Sequence, residues 1–112
     1  MIEKTVINYL RERFPGESIT AEVPKGMPDR FITVEKTGSQ QINIGLFQST
    51  IAVQSWETSR LKAAELSEAV CEAMRDLPAV DEVTRSRGSD YDFTDITTKR
   101  YRYQAVFTVT HY

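Results

Sequence analysis

Between Thr58 and Leu77 the apolar residues Ala63, Leu66, Val70, Met74 and Leu77 recur at three- and four-residue intervals. That spacing sets them on one stripe of a helix. Thr58 or Ser59 is a good N-cap residue, and Pro78 stops the helix because it lacks a backbone donor. A helix with one apolar stripe needs an apolar surface to cover it. The rest of the chain has to supply that surface.

It reads as strands. Ile19 to Val23 alternates apolar and polar residues and is closed by Pro24. Lys25 to Asp29, with Gly26 and Pro28, is a loop. Arg30 to Thr37 is a second strand around Phe31, Ile32, Thr33 and Val34, with Gly38-Ser39 marking its end. Thr50 to Trp56 is a third, with Ile51 and Val53 on one face and Ala52, Gln54 and Trp56 on the other. Val80 to Arg87 is a fourth. Lys99 to His111 is the last: Tyr101, Tyr103, Ala105, Phe107 and Val109 oppose Arg100, Arg102, Gln104, Thr108 and Thr110. At the start, Ile2, Val6, Tyr9 and Leu10 give Ile2 to Phe14 the pattern of a short amphipathic helix, ended by Pro15-Gly16. Two stretches read as loops. Gln40 to Phe47, where Asn43 and Gly45 interrupt Ile42, Ile44 and Leu46, is a mobile hairpin connection; Gly88 to Thr98 is a long polar loop.

The order α-β-β-β-α-β-β, without βαβ alternation, predicts an α+β fold. The expected architecture is one domain over residues 1–112: a mostly antiparallel sheet with both helices packed on one face.

Composition narrows the function. With 14 Lys+Arg against 16 Asp+Glu in 112 residues, the chain lacks the basic excess of a protein that wraps nucleic acid. One cysteine excludes an intrachain disulfide framework, and one His with one Cys argues against a structural zinc site. The free thiol fits a reducing compartment. No apolar run exceeds three residues, so neither a transmembrane helix nor a signal-peptide core is expected.

Chemistry has few candidates. Asp90, Asp92 and Asp95 form the one dense acidic cluster, but it lacks the central Gly and terminal Glu of a calcium loop and reads as a solvated turn. Cys71 lies on the flank of the second helix's stripe beside Ala64, where a thiol behaves as a small hydrophobe. His111 sits in the last strand, as an edge or interface side chain. No glycine loop can cradle a phosphate, since Gly38 and Gly45 are isolated. No cofactor is expected. Basic residues gather at Arg85 and Arg87, and at Lys99, Arg100 and Arg102 next to Tyr101 and Tyr103. The strand period turns those tyrosines toward the core, which disfavours a nucleic-acid stacking platform. Leu61 lies nearly opposite the apolar stripe of its helix. With Trp56 on the less obviously buried strand face, it marks a candidate subunit contact.

Three stretches carry a family resemblance. The first is Asp29-Arg30-Phe31-Ile32-Thr33-Val34-Glu35-Lys36-Thr37-Gly38. The second is Ile51-Ala52-Val53-Gln54-Ser55-Trp56, followed by Thr58-Ser59 and Ala63-Ala64-Glu65-Leu66. The third is the closing aromatic strand, Arg100-Tyr101-Arg102-Tyr103-Gln104-Ala105-Val106-Phe107-Thr108-Val109. Together with the opening helix they make the chain resemble the tail terminator, or tail completion, proteins of long-tailed phages. It departs from many relatives at Gln48, where an acidic residue is common, and at Asp95 to Thr98, where an Asp-Pro turn is common.

The resemblance implies a non-enzymatic structural protein of the virion tail or neck, made in the bacterial host cytoplasm. Such proteins form a ring, typically a hexamer, on the last ring of the tail tube. They stop its growth and present a surface to the head-completion or connector protein. DNA would pass through the channel without specific contacts, and no membrane is involved. On this reading Trp56, Leu61, Arg85, Arg87, Asp90, Asp92, Asp95, Lys99 and Arg100 are the candidate subunit or partner interface, with Gln40 to Phe47 and Gly88 to Thr98 as adaptable loops. A neck, connector or minor tail protein is the alternative in the same particle. A small cytoplasmic binding module or enzyme is the alternative outside it.

Overall fold

The computed structural model describes residues 1–97 and 100–112. In chain order it contains α1 (Ile2–Arg13), β1 (Ile19–Thr20), β2 (Phe31–Asn43), β3 (Leu46–Glu57), α2 (Arg60–Arg75), a 3-10 turn (Leu77–Ala79), β4 (Val83–Asp92) and β5 (Tyr101–His111). The strands form one five-stranded sheet in the order β1-β2-β3-β5-β4. All pairings are antiparallel except β1 with β2, where Ile19 and Thr20 run parallel to Ile32 and Thr33. The fold is α+β, as the element order predicts.

Both helices cover one face of the sheet. Ile32 and Val34 of β2, Ile51 and Val53 of β3, and Ala105, Phe107 and Val109 of β5 point into it. Against them pack Ile2, Val6, Ile7 and Leu10 of α1 and Leu66, Val70, Cys71, Ala73 and Met74 of α2. Each fully buried Leu, Ile or Phe contributes roughly 1.5–3 kcal/mol relative to exposure. The helices also touch each other: the Tyr9 hydroxyl donates to the Ala73 carbonyl at 2.6 Å. Ser59 caps α2, its hydroxyl accepting from the Lys62 amide at 3.2 Å. Leu77 belongs to the 3-10 turn after α2, where Pro78 breaks the α-helical ladder.

The sheet differs from the sequence reading in three places. The Gln40 to Phe47 stretch is not a loop: β2 and β3 pair continuously out to Asn43 and Leu46. Two bulges, at Thr37 and at Ile42, each shift the register by one residue while the pairing continues. The turn itself is tight, with Gly45 at φ 71° and the Asn43 carboxamide accepting from the Ile44 amide at 2.8 Å. β4 likewise runs through Gly88 to Asp92, where a polar loop was expected. Gly88 stands opposite Phe107. A Cβ there would lie 2.7 Å from the Phe107 Cα and Cγ atoms, so the strand needs glycine to let the ring pass. The first strand, expected over Ile19 to Val23, closes after Thr20, whose hydroxyl donates to the Glu22 carbonyl at 2.6 Å.

Candidate subunit interface

The face of the sheet away from the helices carries no covering element. Its cross-strand rows follow from the register. Phe31, Trp56 and Arg102 form one row; Thr33, Gln54, Gln104 and Tyr91 the next; Glu35, Ala52, Val106 and Ser89 the third. Further along come Thr50, Thr108 and Arg87, then Gln40, Gln48, Thr110 and Arg85. The amides cross-link the strands: Gln54 donates to Gln104 at 2.8 Å, Gln40 to Gln48 at 3.2 Å, and Gln104 to the Tyr91 hydroxyl. A shallow depression lies over Gly38, Gln40, Gln48, Thr50 and Thr108. This is a hydrogen-bonding surface with few charges: Glu35 at its β2 margin, Arg102 in its first row, and Arg85 and Arg87 at its β4 margin.

Trp56, expected on the less obviously buried face of its strand as a subunit contact, is 6% exposed. Its ring stacks on Phe31 at 5.1 Å with 17° between planes, and Arg102 covers its other side at 4.7 Å. The same guanidinium lies 4.6 Å from the Phe93 centroid and donates to the Phe93 carbonyl at 2.8 Å. Phe93 in turn meets Tyr91 edge-on at 5.7 Å. Each such cation–π contact contributes about 0.5–2 kcal/mol. Arg100 closes the end of the stack, donating to the Met27 and Pro28 carbonyls at 3.2 and 2.8 Å.

The other expected interface residues fall in separate places. Leu61 is 65% exposed on the first turn of α2. Arg85 and Arg87 project from the uncovered face of the edge strand β4, with no hydrogen bond or ion pair among the described residues. Asp90 is on the helix face of β4 and accepts from the Ser67 hydroxyl at 2.7 Å. Asp92 and Asp95 close small turns, accepting from the amides of Thr94 and Thr97 at 3.0 and 2.9 Å. The Thr94 hydroxyl and amide hold the Asp92 carboxyl below its ordinary pKa. Lys99 lies outside the described residues. The structure therefore joins Trp56 with Arg100 and separates both from Arg85 and Arg87.

Two ion pairs that share Arg30 had no sequence signal. Arg30 bridges Glu17 and Glu57, with nitrogen–oxygen distances of 2.9 Å to each. Glu57 is 6% exposed. Burial raises its carboxyl pKa, but the Arg30 guanidinium and the Thr58 amide outweigh that and leave it below the ordinary value. The hydrogen bonds to Glu17 and then Glu57 raise the Arg30 pKa.

Cys71 is buried, and its thiol is pushed up to about 11, chiefly by desolvation. His111 is also buried, its Nε2 hydrogen-bonded to the Ser49 hydroxyl at 2.8 Å. Among the described residues no three His, Cys, Asp or Glu side chains gather where a metal could sit, and no helix is long and apolar enough to cross a membrane.

The most legible missed signal is a charge pattern. From Thr37 to Trp56 the chain has no charged residue, although 27% of the whole is charged. That run forms the outer half of β2 and nearly all of β3. It ends in an apolar tip, where Ile44 is 95%, Ile42 46% and Phe47 36% exposed.

Comparison of the sequence with protein-family models and with curated proteins found no match.

Proposed function

We propose that the chain is a tail-terminator-like virion assembly protein. Copies would join in a ring that caps a finished tail tube and offers the head-joining surface. The observation that carries this reading is the uncovered sheet face, rich in Gln and Thr side chains and continuous with the charge-free hairpin. A large, sparsely charged surface on a small domain suits repeated contact with identical neighbours. The Ile51 to Leu66 passage that carries the family resemblance lies in the same unit, with β3 running through the Trp56 stack into α2.

Adaptation on contact falls to the hairpin tip and to Phe93 to Thr97, since Gln40 to Phe47 is largely strand and Gly88 to Asp92 belongs to β4. Electron microscopy of the purified protein with tail tubes is the direct test. Rings on one end of tubes of fixed length are the expected result. Tubes that lengthen unchecked, with bare ends, defeat the proposal.

A further inference from the structure

The sheet has two free margins of different character. β1 covers β2 only at Ile32 and Thr33, so β2 is an edge strand beyond them. The Ile32 amide faces β1, donating to the Ser18 carbonyl at 2.8 Å. By strand alternation the Lys36 amide also points outward, where the Glu3 carboxylate accepts from it at 2.7 Å. Past the Thr37 bulge the alternation turns the Ser39 and Gln41 amides outward, and neither has a partner among the described residues. At the other margin, the Phe93 amide faces β5, donating to the Arg102 carbonyl at 2.9 Å. The amides of Ser86, Gly88 and Asp90 therefore point away from β5.

Natural edge strands are usually blunted by charge, proline or a covering element. β4 follows that rule, with Arg85, Arg87, Asp90 and Asp92. The outer half of β2 does not, because Thr37 to Asn43 is uncharged.

We infer that the β2 edge of one copy pairs antiparallel with the β4 edge of the next, so that the sheet continues from copy to copy. The occupant of each edge is thus a second copy of this chain. Two observations select this joint over an edge pairing with itself. First, charges match on the helix face: with Gln40 set opposite Ser89, Asp92 of one copy falls beside Lys36 of the next. Pairing β4 with a second β4 would set arginine near arginine, which is unfavourable. Second, strand direction permits it. β2 runs parallel to β5 and opposite to β4, so copies related by rotation about an axis along the strands meet with β4 antiparallel to β2. Such a joint is head-to-tail and can repeat until it closes.

The inference deepens the ring reading and rests on it for closure. Its test uses cysteines on the uncovered face, Gln40→Cys and Ser89→Cys, with a short bismaleimide at neutral pH. Cys71 stays silent because it is buried. The doubly substituted chain should give a ladder of dimers, trimers and higher species on a denaturing gel. Each single variant alone should stay monomeric, and an equimolar mixture of the two should stop at dimers. Lys36→Glu should lower the ladder yield by about fivefold, and combining it with Asp92→Lys should restore the yield. Cross-linked dimers from either single variant alone, or no species above monomer from the double variant, overturn the joint. A ladder from a protein that leaves tubes uncapped keeps the joint and removes the terminator role. Capped tubes from a double variant that never cross-links do the reverse.

Discussion

The Arg102 guanidinium carbon sits 4.7 Å from the centroid of the Trp56 ring, and the two residues are direct partners in the β3–β5 register. The contact seals an indole that would otherwise face solvent on the uncovered side of the sheet. Because the chain has a single tryptophan, its emission reports the surroundings of Trp56 alone. Arg102→Ala is expected to shift that emission to the red and to cost about 1–2 kcal/mol in urea unfolding. Arg102→Lys should recover only part of the loss, since an ammonium cannot lie flat between Trp56 and Phe93.

Glu57 sets the acid sensitivity. Its carboxyl pKa is lowered on folding, so its contribution is present above the unfolded value and lost as pH falls through the folded one. Asp92 has the same sign. Urea midpoints should therefore drop between about pH 5 and pH 3. Glu57→Gln should flatten part of that drop and cost about 1 kcal/mol at pH 7, because Arg30 is partly solvated. An unchanged pH profile in Glu57→Gln would contradict the assignment.

Gly88→Ala is expected to destabilise by about 1–3 kcal/mol, through collision of the new methyl group with Phe107 and the Val106 carbonyl. Gly38→Ala is the control. Its backbone is not in the left-handed region and no atom lies within 4 Å of where the added methyl group would sit, so its midpoint should barely move.

Cys71 should not react with a thiol reagent in the native state at pH 8. Burial both shields the sulfur and raises its pKa to about 11, leaving little thiolate. Reaction should appear in step with unfolding in urea. Labelling at the free-thiol rate without denaturant would show that α2 opens locally.

The helices were legible because their signal is local. Ala63, Leu66, Val70 and Met74 mark the buried side of α2 without reference to any other element. The hairpin was hidden by its own residues. Gly38, Asn43 and Gly45 resemble loop residues, and two bulges break the alternation that identifies a strand. Gly88 hid the end of β4 for a different reason: its role depends on Phe107, which is distant in sequence. The candidate site was harder still. Trp56 lies on the strand face that the periodicity leaves less obviously buried, and Arg102 and Phe31 cover it only once β2, β3 and β5 are in register. Long-range register is the quantity that one-dimensional periodicity omits.

β5 lies between β3 and β4, although it follows both in the chain. Until residues 101–111 have left the ribosome, β4 has no strand neighbour to pair with and β3 keeps one side bare. Completion of the sheet therefore waits for β5, and until then the uncharged run from Leu46 to Trp56 has nothing to discourage wrong partners. The cell's control over how long that interval lasts, through elongation speed or chaperone capture, would set the yield of native protein.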